Sequence, residues 1–196
     1  MSALPRLVVL ISGRGRNLQA IVDATRSGRL RAEVALVLSN RSDAAGLDYA
    51  RAAGIPTQVI RHQDHADRAS FDAQMLAVIE PLQPALVVLA GFMRILTPRF
   101  IRAFQGRLVN IHPSLLPLYP GLNTHARALQ AGDTEHGASV HWVTEELDGG
   151  PVIAQGRVRI EAGDTPETLG QRVLEDVEVR LYPDVLQQLL TEPAAR

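Results

Sequence analysis

Arg6-Leu7-Val8-Val9-Leu10-Ile11 runs straight into Ser12-Gly13-Arg14-Gly15-Arg16-Asn17. After its arginine the first run is wholly apolar, with no polar alternation. A strand with one wet face alternates, whereas a strand covered on both faces does not. The run therefore predicts a parallel strand with helices on both sides of its sheet. The glycines make a turn. Residues 18–27 then carry Leu18, Ile21, Val22 and Thr25 at helical spacing, with Gly28 as a stop.

The same pattern continues outward. Glu33–Ser39 and residues 85–90 read as buried strands, and residues 57–60 as a short one. Residues 44–53 read as a helix, ended by Gly54. In Arg68–Ile79, Phe71, Met75, Leu76 and Ile79 share one helical face. A short helix at 98–104 leads to a central strand at 108–112. A helix near 126–131 leads to strands at 139–143 and 152–160. A last helix spans about 166–190, with a break expected near Pro183, since proline lacks the N–H and crowds the preceding turn. Residues 191–196 read as a frayed tail. Strands alternating with helices across short loops predict an α/β, doubly wound, mostly parallel sheet with right-handed crossovers.

The chain has 196 residues, which suits a single domain spanning 1–196. Hydrophobic residues make up 46% of it, enough for a substantial core. A formal charge of −1 argues against a general nucleic-acid or membrane-surface binder. There are no cysteines, so disulfides and thiolate-bound metals are excluded. The N-terminus lacks the layout of a signal peptide, and its apolar run is too short to span a bilayer. A soluble cytoplasmic protein is expected.

Chemistry concentrates later in the chain. In Leu108-Val109-Asn110-Ile111-His112, the amide and the imidazole occupy alternate strand positions and so share a face. Pro113 keeps His112 extended. Pro113, Pro117 and Pro120 stiffen the loop beyond it. Asp148 follows a second strand and precedes the turn Gly149-Gly150-Pro151. An amide donor, an imidazole and a carboxylate are the parts an acyl-transfer site needs. The six histidines show no H-x-x-x-H spacing, which disfavours a metal. Ser114 has no G-x-S-x-G elbow around it, which disfavours a serine hydrolase. His136 and His141 read as satisfied core histidines.

The glycine turn opens a helix, so its N–H groups suit an anion. Leu18 fills the place of the third glycine of a dinucleotide fingerprint, and G-K-S/T is missing, so a single phosphate fits best. Gly91-Phe92-Met93-Arg94-Ile95-Leu96 is unusually apolar for a loop and reads as the wall of a pocket for a flat ligand.

These motifs, with Asn110-Ile111-His112-Pro113-Ser114-Leu115-Leu116-Pro117, Tyr119-Pro120-Gly121-Leu122 and Glu146-Leu147-Asp148-Gly149-Gly150-Pro151, resemble the phosphoribosylglycinamide formyltransferases. The likeness covers nearly the whole chain in order. It implies a Rossmann-like fold with a nucleotide-binding half (1–105) and a catalytic, folate-binding half (106–196). It also implies formyl transfer from the co-substrate 10-formyltetrahydrofolate to glycinamide ribonucleotide in purine biosynthesis, without a metal. The catalytic residues would be Asn110, His112 and Asp148. Gly15, Arg16, Asn17, Arg68 and Glu178 would hold the nucleotide. Met93, Arg94, Ile95, Leu96, Val143, Thr144, Glu145, Glu146 and Leu147 would meet the folate. A cis bond at Leu116-Pro117 is expected on the same ground. The implied partners are these small molecules, with no nucleic acid and no membrane, for a monomer or homodimer. Arg16 stands where the family usually has a small residue.

Three other readings compete. Methionyl-tRNA formyltransferase shares the Asn/His/Asp site but needs a basic RNA-binding domain after it. Formyltetrahydrofolate hydrolase needs a regulatory domain ahead of the first strand. A nucleotide-binding regulatory module would leave Asn110, His112 and Asp148 without a role.

Overall fold

The computed structural model describes residues 3–191. In chain order the elements are β1 (Arg6–Ile11), α1 (Arg16–Arg26), β2 (Glu33–Ser39), α2 (Gly46–Ala52), β3 (Thr57–Val59), α3 (Arg68–Ile79), β4 (Leu86–Leu89) and α4 (Pro98–Ala103). There follow β5 (Leu108–His112), α5 (Thr124–Ala131), β6 (Glu135–Trp142), β7 (Val152–Arg159), α6 (Pro166–Arg172) and α7 (Val179–Thr191). The strands form one seven-stranded sheet in the order β3-β2-β1-β4-β5-β6-β7. β1 to β5 pair in parallel, while β5 with β6 and β6 with β7 pair antiparallel.

The apolar run of β1 is explained by burial on both faces. Leu7, Val9 and Ile11 pack with Leu18 and Ile21 of α1 and with Tyr182 and Leu186 of α7. Val8 and Leu10 face the other way, onto Phe71 and Met75 of α3 and Phe100 of α4. The face predicted for α3 is the one buried, with Phe71, Met75, Leu76 and Ile79 nearly inaccessible.

Two expectations are corrected. β6 begins at Glu135, earlier than residue 139. Its first residues do not read as a strand, but Gly137 lets the backbone of β7 approach so closely that any side chain there would meet Gly156. The last helix does not break at Pro183, which lies inside α7. The irregular segment is upstream, a π-helical stretch at Val173–Glu178. Pro183 leaves the carbonyl of Val179 without its usual donor, and the wide turn ends just before that residue. Burial of Tyr182, Pro183, Val185 and Leu186 keeps the helix running through the proline. The tail expected to fray lies, beyond Thr191, outside the described residues.

β1 has β2 on one side and β4 on the other, so the chain winds away in opposite directions from the β1/β4 seam. A crevice opens at such a point, outside the carboxyl ends of the strands. The glycine turn after β1 and the loop after β4 meet there. Ser12 N–H donates to the Gly91 carbonyl (3.1 Å), and Met93 N–H donates to Ser12 Oγ (2.8 Å). Among the described residues, no helix is long and apolar enough to cross a membrane.

Candidate active site

β5 presents Asn110 and His112 on one face, while Val109 and Ile111 pack into the core on the other. The His112 ring is buried, and both of its nitrogens are engaged. Nε2 lies 2.9 Å from the Tyr119 carbonyl, which can only accept, so Nε2 carries a proton. Nδ1 lies 3.4 Å from Asp148 Oδ2. The Tyr119 carbonyl holds Nε2, which leaves Nδ1 to face the carboxylate.

Asp148 reaches this position from the β6–β7 loop. Its backbone is left-handed (φ 51), a conformation that costs a non-glycine residue roughly 1 kcal/mol or more. The Gly121 N–H donates to Oδ2 (2.8 Å), which binds the carboxylate to the proline loop. That loop is pinned along its length. Ser114 Oγ donates to the Leu118 carbonyl (2.6 Å), Thr124 Oγ1 to the Pro113 carbonyl (2.6 Å) and Arg127 to the Pro120 carbonyl (2.6 Å). Ser139 Oγ donates to the Ser114 carbonyl (2.6 Å) and accepts from Leu116 N–H (3.0 Å). The Leu116-Pro117 bond is cis, as the motif implied.

The glycine turn places Gly15 at the N-cap of α1. Backbone and packing already require a glycine at position 15: its φ is 75, and a Cβ would lie 2.7 Å from Gly46 Cα. The helix start nevertheless remains open. It has no side-chain cap and no acidic residue in its first turn, so no capping side chain takes its leading N–H groups. Arg16 is exposed, with Nη1 3.4 Å from Gln19 Oε1. Asn17 is buried and turned onto Glu178, its Nδ2 donating to Oε2 (2.6 Å). Burial raises the carboxyl of Glu178 above its ordinary value, and the Asn17 bond opposes the rise. Arg68 is exposed at the first position of α3.

The expected folate wall divides in two. Met93 and Ile95 are exposed large apolar side chains, 65% and 55% accessible. These lie free to meet a ligand, unlike Leu96, which is buried in the core with Phe92 and Phe100. Arg94 Nε is buried without a partner among the described residues, an unused donor beside that wall. Val143 packs partly on the same core, and Leu147 is exposed. Thr144 is half-buried, and Glu146 is exposed. Glu145 makes an ion pair with Arg102 of α4 (2.7 Å). Among the described residues, no three His, Cys, Asp or Glu side chains converge as metal ligands do.

His136 is a core histidine as expected, with Nε2 3.1 Å from His125 Nδ1 and burial depressing it to about 4. His141 is buried too, but it is no bystander. The β5–β6 register sets it opposite Asn110, and its Nε2 lies 3.1 Å from Asn110 Nδ2 and 3.7 Å from Asp148 Oδ1. Strand alternation gives its face, but the register that gives its neighbour is not in the local sequence.

A pinned amide–imidazole–carboxylate set at the carboxyl end of a doubly wound sheet has the parts an acyl-transfer site needs. Residues 5–186 match the family described as formyl transferase, and the chain belongs to that family. It is 51% identical to the phosphoribosylglycinamide formyltransferase of Escherichia coli (strain K12), over 92% of this chain and 84% of the relative. The enzyme of that name from Coxiella burnetii is 52% identical, with a TM-score of 0.89 covering 94% of this chain and 86% of the other. Glycinamide ribonucleotide transformylase 1 of Symbiobacterium toebii superposes with a TM-score of 0.93 at 42% identity, covering 97% and 89%. The chain is thus a formyltransferase enzyme, and these relatives are of the family its motifs resemble.

Proposed function

We propose that this enzyme moves a formyl group from 10-formyltetrahydrofolate to the primary amine of glycinamide ribonucleotide, in cytoplasmic purine biosynthesis. The whole chain would act as one domain. The observation that carries the reading is the convergence of Asn110, His112 and Asp148 on one pinned site. The relatives' names supply the substrate.

The chemistry needs little beyond these residues. The amine nitrogen bonds to the formyl carbon, the bond from that carbon to the folate nitrogen breaks, and one proton passes from the amine to the folate nitrogen. Between the two steps the formyl oxygen carries negative charge. An Asn110 N–H and the proton on His112 Nδ1 are the donors that would stabilise it. Nε2 is committed to the Tyr119 carbonyl, so Nδ1 is the ring's working nitrogen. Asp148 Oδ2 faces that nitrogen and, with water, would relay the amine's proton.

The nucleotide phosphate would lie on the open start of α1, with Gly15, Arg16 and Asn17 beneath it and Arg68 nearby. Glu178 would accept from the sugar hydroxyls. Met93 and Ile95 offer the apolar surface, and Arg94 Nε the free donor, that suit a flat heteroaromatic folate. The rest of the predicted folate loop, Val143, Thr144, Glu145, Glu146 and Leu147, would close over it.

The test is incubation with formylated folate, with and without glycinamide ribonucleotide. Folate release that requires the nucleotide is expected. Release in water alone would point to a hydrolase and end this reading.

A further inference from the structure

Two histidines approach the Asp148 carboxylate, and the catalytic reading uses one. His112 Nδ1 is 3.4 Å from Oδ2, and His141 Nε2 is 3.7 Å from Oδ1. Each ring also has a nitrogen on a backbone carbonyl, Nε2 of His112 on Tyr119 (2.9 Å) and Nδ1 of His141 on Trp142 (3.0 Å). A carbonyl only accepts, so those nitrogens carry protons. What distinguishes the rings is the neighbour of the remaining nitrogen.

For His141 that neighbour is the Asn110 amide nitrogen at 3.1 Å, which only donates. A protonated Nε2 there would set donor against donor. His141 is therefore neutral, with the proton on Nδ1, and Nε2 accepts from Asn110. We propose that His141 is a positioning residue: by accepting one N–H of Asn110 it fixes which way up that amide sits, and leaves the second N–H for the substrate's formyl oxygen.

An amide has two ends of similar size, and nothing in its shape chooses between them. A ring that donated at Nε2 would turn the amide over and put its carbonyl oxygen where the donor stands. Oxygen there would repel a developing oxyanion. The same assignment leaves the Asp148 charge to His112.

The titratable groups facing the His141 ring are Asp148 from the β6–β7 loop and His112 from β5. Burial holds the ring below the ordinary histidine value of 6.5, Asp148 opposes this, and His112 adds to it. Nε2 thus stays an acceptor through neutral pH. It becomes a donor only on acidification below that ordinary range.

The role rests on the proposed function, but part of its test does not. Long-range nitrogen NMR of the native protein labelled with ¹⁵N-histidine reads the tautomer directly. A protonated Nδ1 and bare Nε2 on His141 at neutral pH are expected; a proton on Nε2 would overturn the role whatever the activity. The second arm is steady-state kinetics of two variants. His141→Leu removes the acceptor, and kcat is expected to fall on the order of 10²-fold with KM for both substrates nearly kept, as for a lost oxyanion donor. His141→Gln restores an acceptor oxygen that does not titrate. It should recover most of that loss and shift the acid limb of the kcat profile to lower pH. Equal kcat in the native, Leu and Gln proteins would overturn the proposal. So would an acid limb identical in the native and Gln proteins. Should His141→Leu fail to fold, the tautomer and the Gln profile decide it. Absence of any formyl transfer in the native protein would defeat the proposed function and leave the tautomer to be read.

Discussion

Asn17 Nδ2 donates to Glu178 Oε2 at 2.6 Å, between residues 161 positions apart. The bond ties the start of α1 to the end of the π-helical turn. Both residues are buried, at 9% and 8% exposure, and Asn17 Oδ1 is left without a partner among the described residues. A buried carboxyl beside an unsatisfied carbonyl destabilises the fold. In the proposed function Glu178 receives hydroxyl donors from the nucleotide's sugar.

Glu178→Gln is therefore expected to stabilise the free protein and weaken nucleotide binding. Burial holds the folded carboxyl above its ordinary value of 4.5, so the unfolded chain ionises first as pH rises. The native protein loses stability from about that pH up to the folded value, and the loss stays constant above it. Glutamine does not ionise. The Tm difference in favour of the variant should grow as pH rises above about 4.5 and level off once the folded carboxyl has ionised. A difference independent of pH would show that Glu178 is not the ionising group concerned.

Asn110→Ala and His112→Ala each delete a proposed donor to the formyl oxygen. Each should lower kcat by about 10²-fold or more. Near-normal turnover in a folded variant at either position would count decisively against this site.

Asp148→Asn separates the charge of the carboxylate from its scaffold role. The amide oxygen can still accept from Gly121 N–H, so the proline loop should hold its place. The charge facing His112 Nδ1 is lost, and with it a drop in kcat on the order of 10²-fold is expected. Amide hydrogen exchange at Gly121 should match the native protein. Rapid exchange there would mean that Asp148 serves the loop rather than the reaction.

Arg16→Ser tests the exposed guanidinium at the phosphate turn. The backbone N–H stays in place, so the side chain adds at most a charge-assisted bond. KM for the nucleotide should rise at low salt with kcat little changed, since a phosphate is remote from the reacting carbon. The gap should narrow in high salt, where exposed charges are screened within about 8 Å. Equal KM at low salt would leave Arg16 a solvated bystander.

The local sequence was enough for the strand β1, the buried face of α3 and the pairing of Asn110 with His112 on one face. Each follows from a period of two or 3.6, which a chain carries in itself. Asp148 stood out as well, as the carboxylate that follows a second strand and precedes the turn Gly149-Gly150-Pro151, while its catalytic role came with the resemblance. Tertiary structure alone decided the rest. The register of β5 on β6 put His141 against Asn110, and register belongs to a pair of strands. The helix ran on through Pro183 because Tyr182, Val185 and Leu186 pack on the sheet, and packing outweighs a local breaker. Asn17 met Glu178 because α1 and the π-helical turn converge there in the folded chain, a contact that no periodicity along the sequence encodes.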